Sequence, residues 1–151
     1  MSETRQYCTF LLDGQYFGVD VREVQEVIRY QEMTRVPLAS DVVSGLINLR
    51  GRIVTAIDLR RRLGHPDRPA GKLPMNVVVH TGEDAVSLLV DEIGDVIEVE
   101  VDKFETPPDT LQGVARTLVN GAYKLDDRLM LVLHIRNAVE VANNDMMSLS
   151  A

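Results

Sequence analysis

The chain has 151 residues, 45% of them hydrophobic, with a formal net charge of −7, three histidines and one cysteine. That length and apolar content suit one domain, or two small subdomains sharing a core, and exclude disorder throughout. There is no membrane-spanning apolar run of about 18 residues, no signal-peptide core at the N-terminus, and no internal disulfide partner for Cys8, so the cytosol is the expected compartment.

The acidic balance argues against nucleic acid as the main partner. The charge is uneven, however. Residues 50–72 carry seven Arg/Lys against Asp58 and Asp67, whereas residues 83–105 carry nine acids against Lys103. Solvated faces account for most of these charges; a bipolar module meeting partners of opposite sign is the sharper alternative.

In chain order, Tyr7 to Asp13 and Tyr16 to Asp20 predict a β-hairpin about Asp13-Gly14. Val21 and Val24, three apart, suit one helical turn, and Glu26 to Tyr30 is extended. Pro37 holds Val36 extended, and Ser40 or Asp41 suits a capped turn. Leu46 to Leu49 and Ile53 to Ile57 flank Arg50-Gly51, a second tight hairpin with an arginine at its tip. Asp58 stands at the N-cap of a short helix, Leu59 to Leu63, stopped by Gly64 and Pro66.

The connector Gly64 to Pro74 has three prolines and two glycines and is the expected subdomain boundary. Asn76 to His80 and Ala85 to Val90 form a third hairpin. Asp91-Glu92-Ile93-Gly94-Asp95 is expected as a turn, and the alternation of Ile97, Val99 and Val101 with acids predicts a strand with one wet face. After the break at Thr106-Pro107-Pro108-Asp109, Leu118 to Lys124 and Leu129 to Leu133 form a last hairpin about Asp126-Asp127. A helix from Ile135 to about Val141 closes the fold, and the tail from Asn143 to Ala151 is expected to fray. About ten short strands and two or three short helices indicate an all-β barrel arrangement. No internal repeat is strong enough in sequence to claim a duplication.

Chemistry is sparse. His65, His80 and His134 lack metal-site spacing, and Cys8, in the first strand with Phe10 and Leu12, is expected as a small buried hydrophobe rather than a reactive thiolate. The 91–95 segment lacks the alternating ligands of a calcium loop. There is no nucleophile elbow, phosphate loop, dinucleotide fingerprint or defensible acid/base pair. The residues therefore point to docking, not catalysis, with no metal or cofactor.

Several ordered segments carry a family resemblance: Phe17-Gly-Val-Asp-Val-Arg-Glu-Val-Gln-Glu-Val-Ile28, Asn48-Leu-Arg-Gly51 with its Ile57-Asp-Leu-Arg60 exit, Leu89-Val-Asp-Glu-Ile-Gly-Asp-Val96, and Asp127-Arg-Leu-Met-Leu-Val-Leu-His-Ile135. In these the chain resembles the CheW family of chemotaxis coupling proteins along nearly its whole length. The resemblance implies a mostly β fold of two intertwined, Src-homology-3-like five-stranded β-barrels with short helices and a shared hydrophobic core. It makes residues 1–151 one CheW-like domain, divided near 64–74, with a terminal segment crossing between barrels. It implies a non-catalytic adaptor that joins chemoreceptor cytoplasmic tips to the CheA histidine kinase at membrane receptor arrays. The kinase regulatory domain and other CheW-like domains in rings are the implied partners, with neither nucleic acid nor membrane insertion.

The positions matching the family's contact motifs are Val24, Glu26, Asn48, Arg50 and Gly51. Residue chemistry leaves each a plainer role. Arg50 forks either to a partner or internally to Glu26 or Asp58. Val24 suits a core, Asn48 shapes local backbone, and Gly51 serves the turn. Three other readings stand beside this one: a CheW-like piece of a larger kinase or a CheV-type protein, an adaptor of a twitching, gliding or alternative-output pathway, and a small β-barrel enzyme. The chain has no phosphotransfer histidine motif, ATP-binding boxes or receiver cluster.

Overall fold

The computed structural model describes residues 3–82 and 84–140; the tail 143–151 and Val141 of the expected last helix lie outside them. Ten strands form two five-stranded sheets. The strands are β1 (Thr4–Leu12), β2 (Gln15–Asp20), β3 (Val24–Ile28), β4 (Val43–Leu49), β5 (Arg52–Asp58), β6 (Met75–Thr81), β7 (Asp84–Val90), β8 (Glu92–Glu100), β9 (Val119–Lys124) and β10 (Leu129–Leu133). Short helices α1 (Leu59–Arg62) and α2 (Val114–Leu118) accompany them, and residues 135–140 are helical.

One sheet has the order β8-β1-β2-β10-β9, the other β3-β6-β7-β5-β4. The two orders are the same pattern with the halves of the chain exchanged. β1–β2 and β6–β7 are antiparallel hairpins. β10 runs parallel to β2 as β5 does to β7, and β9–β10 matches β4–β5. Even the irregularities coincide: Gly45 faces Ala56 beside one register shift, and Gly121 faces Val132 beside its counterpart. Each sheet thus takes two strands from one half and three from the other.

Each sheet also closes on itself. Thr34, beyond β3 at one edge, bridges Leu46 of β4 at the other; Glu105, beyond β8, bridges Ala122 of β9. Both crossings exchange paired backbone hydrogen bonds of 2.8–2.9 Å. The close approach needs a residue without a Cβ, which Gly45 and Gly121 supply.

The expected boundary is not where the chain changes sheet. Residues 64–74 join α1 to β6, neither of which leaves the β3–β7 half of the fold. The chain crosses twice elsewhere, through the 3-10 turn Val21–Glu23 and at Asp91. Proline and glycine mark turns at 64–74, but they report local backbone shape and not sheet membership. Asp91 to Asp95 is likewise not a turn. Only Asp91 bends, and β8 starts at once, with Glu92 and Ile93 paired to Leu11 and Phe10.

Three apolar clusters follow from strand periodicity. One lies between the sheets and draws on both, with Phe10, Phe17 and Leu131 from one and Ile57, Val77 and Leu88 from the other. The two others fill the sheet interiors: Ile47, Val54, Val78 and Leu89 in one, Tyr7, Tyr123, Met130 and Val132 in the other. Strands β5, β6, β7 and β10 therefore bury both faces, which explains their unbroken apolar runs. Cys8 is only half-buried: it pairs with Val96, itself exposed, at a point where an extra residue on β8 breaks the β1–β8 register. Burial, with the Asp20 charge as a lesser contribution, still pushes its thiol pKa up.

Candidate functional site

The β4–β5 hairpin closes through two residues with positive φ, Arg50 at 53° and Gly51 at 86°. This is the left-handed pair of a type I′ turn, whose twist matches the strands it joins. Glycine adopts it freely; arginine does so at some cost in strain. Asn48 offsets that cost, its Oδ1 accepting the Gly51 N–H at 2.8 Å. Asn48 and Gly51 thus shape the loop that holds Arg50 outward.

Arg50 donates through Nη2 to Glu26 Oε2. Glu26 lies on β3 and Arg50 at the end of β4, opposite edges of one sheet, so the pair can form only because the sheet closes. It straps the seam beside the Thr34–Leu46 bridge. The Arg50 hydrogen bond holds the Glu26 carboxyl below the usual glutamate range, against a smaller opposing effect of burial. The arginine side chain is 72% exposed and the glutamate 19%. Of the two internal partners offered by the sequence, Glu26 is the one found.

Asn48 faces Ile53 across the hairpin. Ile53 is 60% exposed, and Val27, next to Glu26, is also exposed. Neither apolar residue was singled out in the sequence, although alternation with buried Val54 and Ala56 places Ile53 outward. Val24 is set differently. It is half-buried and packs on the core between the sheets, across a bulge from Glu26. The structure therefore gathers Glu26, Asn48, Arg50 and Gly51 and leaves Val24 mostly inward.

A second charged constellation was missed. Asp58 caps α1 as expected, accepting the Arg60 N–H at 3.1 Å. Arg60, however, turns inward, its side chain only 9% exposed. Its Nε lies 2.9 Å from Asp91 Oδ1, its Nη2 2.5 Å from Asp91 Oδ2, and its Nη1 donates to the Pro66 carbonyl at 3.0 Å. Arg68 Nε reaches the same Asp91 at 2.8 Å, and the Asp13 N–H donates to it. Burial alone would raise the Asp91 pKa, but the Arg60, Asp13 and Arg68 hydrogen bonds outweigh it and hold the group at about 2. This network ties α1, the connector and the β1–β2 turn to one of the two crossings between sheets.

No group of three His, Cys, Asp or Glu side chains suited to a metal occurs among the described residues. No helix among them is long and apolar enough to cross a membrane.

Residues 6–142 match the family model described as CheW-like domain. The chain is 27% identical over 131 residues to the chemotaxis protein CheW of Klebsiella aerogenes, covering 87% of this chain and 79% of that one. It is 29% identical over 124 residues to CheW of Bacillus subtilis, covering 82% and 80%. Protein PilI of Pseudomonas aeruginosa is 28% identical over 114 residues, 76% of this chain and 64% of that one. Among solved structures, the scaffolding protein TtCheW from Thermoanaerobacter tengcongensis superposes with a TM-score of 0.84 at 28% identity, over 97% of this chain and 98% of the other.

Proposed function

We propose, from the premise that this chain belongs to the CheW-like domain family, that it couples the cytoplasmic tips of chemoreceptors to a CheA-type histidine kinase. It is a non-catalytic, CheW-like scaffold of chemotaxis signalling. In this reading it works in the cytoplasm at membrane receptor arrays and docks through the seam carrying Glu26, Asn48, Arg50 and Gly51. The observation that carries the proposal is the Arg50–Glu26 pair on an exposed hairpin tip. Glu26 fixes the guanidinium, and most of the arginine surface stays open to a partner. Such a pre-positioned, forked cation loses little conformational freedom on binding.

The exchanged halves extend the reading to rings. The position matching Arg50 in the other sheet lies in the β9–β10 turn, where Asp126 and Asp127 stand. The tip residues thus differ in sign, arginine at one and two aspartates at the other, with Arg128 3.4 Å from Asp127 in the second loop. A module whose topologically matching hairpins carry tip charges of opposite sign suits head-to-tail association with domains of the same fold, a heterologous contact that closes into rings when the rotation permits.

A second reading, an adaptor of another chemosensory pathway, is favoured by the likeness to a relative named PilI and uses the same surface. The test of the docking proposal is Arg50→Glu in pull-downs with a CheA regulatory domain and a receptor tip fragment. Reversing the charge is expected to weaken binding to at least one of them by about a hundredfold, the scale of an interfacial charge facing its like. A folded variant binding both as the parent does would sink the proposal.

A further inference from the structure

The geometry points to an oxyanion-binding site, for a phosphate or carboxylate group, in the cavity beneath the 64–74 connector. This cavity, of about 540 Å³, lies between the connector and the β1–β2 turn and is lined by Arg60, Arg68, Lys72, Leu73, Leu11 and Glu92, among others.

The case begins with unequal pairing. Arg60 and Arg68 both lean on Asp91, so one carboxylate serves two guanidinium groups. Asp13 lies 3.6 Å from Arg60, but its other oxygen faces His65 Nδ1 at 2.9 Å. Arg68 spends its Nε on Asp91, and its side chain is nine-tenths buried. Its Nη2 is buried without a hydrogen-bond partner. Buried guanidinium nitrogens are ordinarily paired. Lys72, on the same wall, has no ion pair among the described residues.

An oxyanion between Arg68 and Lys72 would satisfy the orphan nitrogen and neutralise the second guanidinium. Forked N–H groups match phosphate and carboxylate oxygens. Asp91 and Glu92 line the same cavity and disfavour an anion beside them, so the anion is placed between Lys72 and the Nη2 of Arg68 that Asp91 does not take. Leu11 and Leu73 leave room for an apolar stem, so the ligand class is a small organic phosphate or carboxylate. The orphan nitrogen is sealed from bulk solvent, so the wall must yield on entry. The part that yields is the exposed turn 69–72, held by the Lys72 N–H to the Pro69 carbonyl at 3.2 Å, with Gly71 at φ 86°.

The test is a titration of the full chain, ¹⁵N-labelled, with inorganic phosphate in one arm and succinate in another, at constant ionic strength held with chloride. The expected result is saturable shifts at the Arg68 Nε–H and the backbone amides of residues 70–73 in at least one arm. The arm that saturates tells phosphate from carboxylate. Lys72→Gln, on an exposed residue, and Arg68→Gln are each expected to weaken binding about tenfold, the loss of one charge-assisted hydrogen bond. Far-UV circular dichroism checks that both remain folded. Shifts that chloride reproduces, that fail to saturate in both arms, or that persist with parental affinity in Lys72→Gln would overturn the assignment.

Discussion

Gly45→Ala tests the idea that each sheet is closed by a crossing only glycine permits. A Cβ at position 45 would stand 2.7 Å from the Thr34 carbonyl oxygen and 3.0 Å from Met33 Cβ. The first is backbone, so no rotamer change relieves it. To make room, the Thr34 strand must retreat from Leu46, weakening two hydrogen bonds of 2.8 Å each. Those bonds contribute about 1 kcal/mol apiece net, and forced overpacking costs about 1–3 kcal/mol. Alanine also restricts the unfolded chain, which returns about 0.4–1 kcal/mol, since φ at Gly45 is not positive. The balance is a destabilisation of about 2 kcal/mol, or roughly 4–8 °C in Tm for a domain of this size. Gly121→Ala is the matched control, because its Cβ would meet the Phe104 ring and the Glu105 carbonyl oxygen. Both variants should lower the urea midpoint with little change in slope. Only Gly45→Ala should also weaken partner binding below its melting range, because it spreads the seam that Arg50 and Glu26 strap. A Gly45→Ala protein at least as stable as the parent would refute the closure argument. Equal binding losses in both variants would refute the link to the site.

Asp91 makes a pH prediction. Its carboxyl is held at about 2, below the ordinary aspartate value, so it is a depressed acid. Its stabilisation is complete above the unfolded value and disappears as pH falls from about 4 to 2, amounting to about 2 kcal/mol. Asp91→Asn should remove that acid limb from urea-unfolding free energies measured across the range. It should also cost about 3 kcal/mol at neutral pH, since it strands two buried guanidinium groups; an unchanged acid limb would count against the network. Gly51→Ala places a Cβ at φ 86° and should cost about 1 kcal/mol in chemical denaturation; no loss would mean that the I′ turn is not required. Leu88→Ala removes a side chain from the core between the sheets and should cost about 3 kcal/mol. It should do so in one transition seen alike by circular dichroism and tyrosine fluorescence, and two separated transitions would show that the sheets do not share stability.

The legible parts of this fold were those decided within a few residues. Asp13-Gly14 and Arg50-Gly51 announce their turns because positive φ is a local demand. Asp58 announces its cap because the acceptor and donor are two residues apart. Arg60, Arg61 and Arg62 mislead for the opposite reason. Consecutive arginines read as a solvated face, yet on a one-turn helix they diverge: Arg60 goes inward, Arg61 to Asp67, and Arg62 to the Asn137 and Ala138 carbonyls. α2 escaped notice because its five residues offer too little periodicity to separate from the strand that follows. The duplication was invisible because the halves share register and bulges but not side chains: Arg50-Gly51 answers to Asp126-Asp127. Along the seam, the Arg50-Gly51 turn was readable, Glu26 was one of two internal partners offered for Arg50, and alternation sets Ile53 outward, whereas the choice of Glu26 over Asp58 depends on which edges a closed sheet brings together.

The exchanged connectivity has a consequence during synthesis. β1 and β2 leave the ribosome before β3 to β7, yet their sheet needs β8, β9 and β10, which follow those strands. The other sheet uses only β3 to β7 and can complete while the remainder is still being translated. Until β10 emerges, the apolar edge and inner face of the first hairpin have no native cover, a state open to aggregation and to chaperone capture. Pairing across so long a separation in the chain also makes the final closure slow. A stop codon just before β9 should therefore abolish the sheet that began forming first while leaving every strand of the other in the chain.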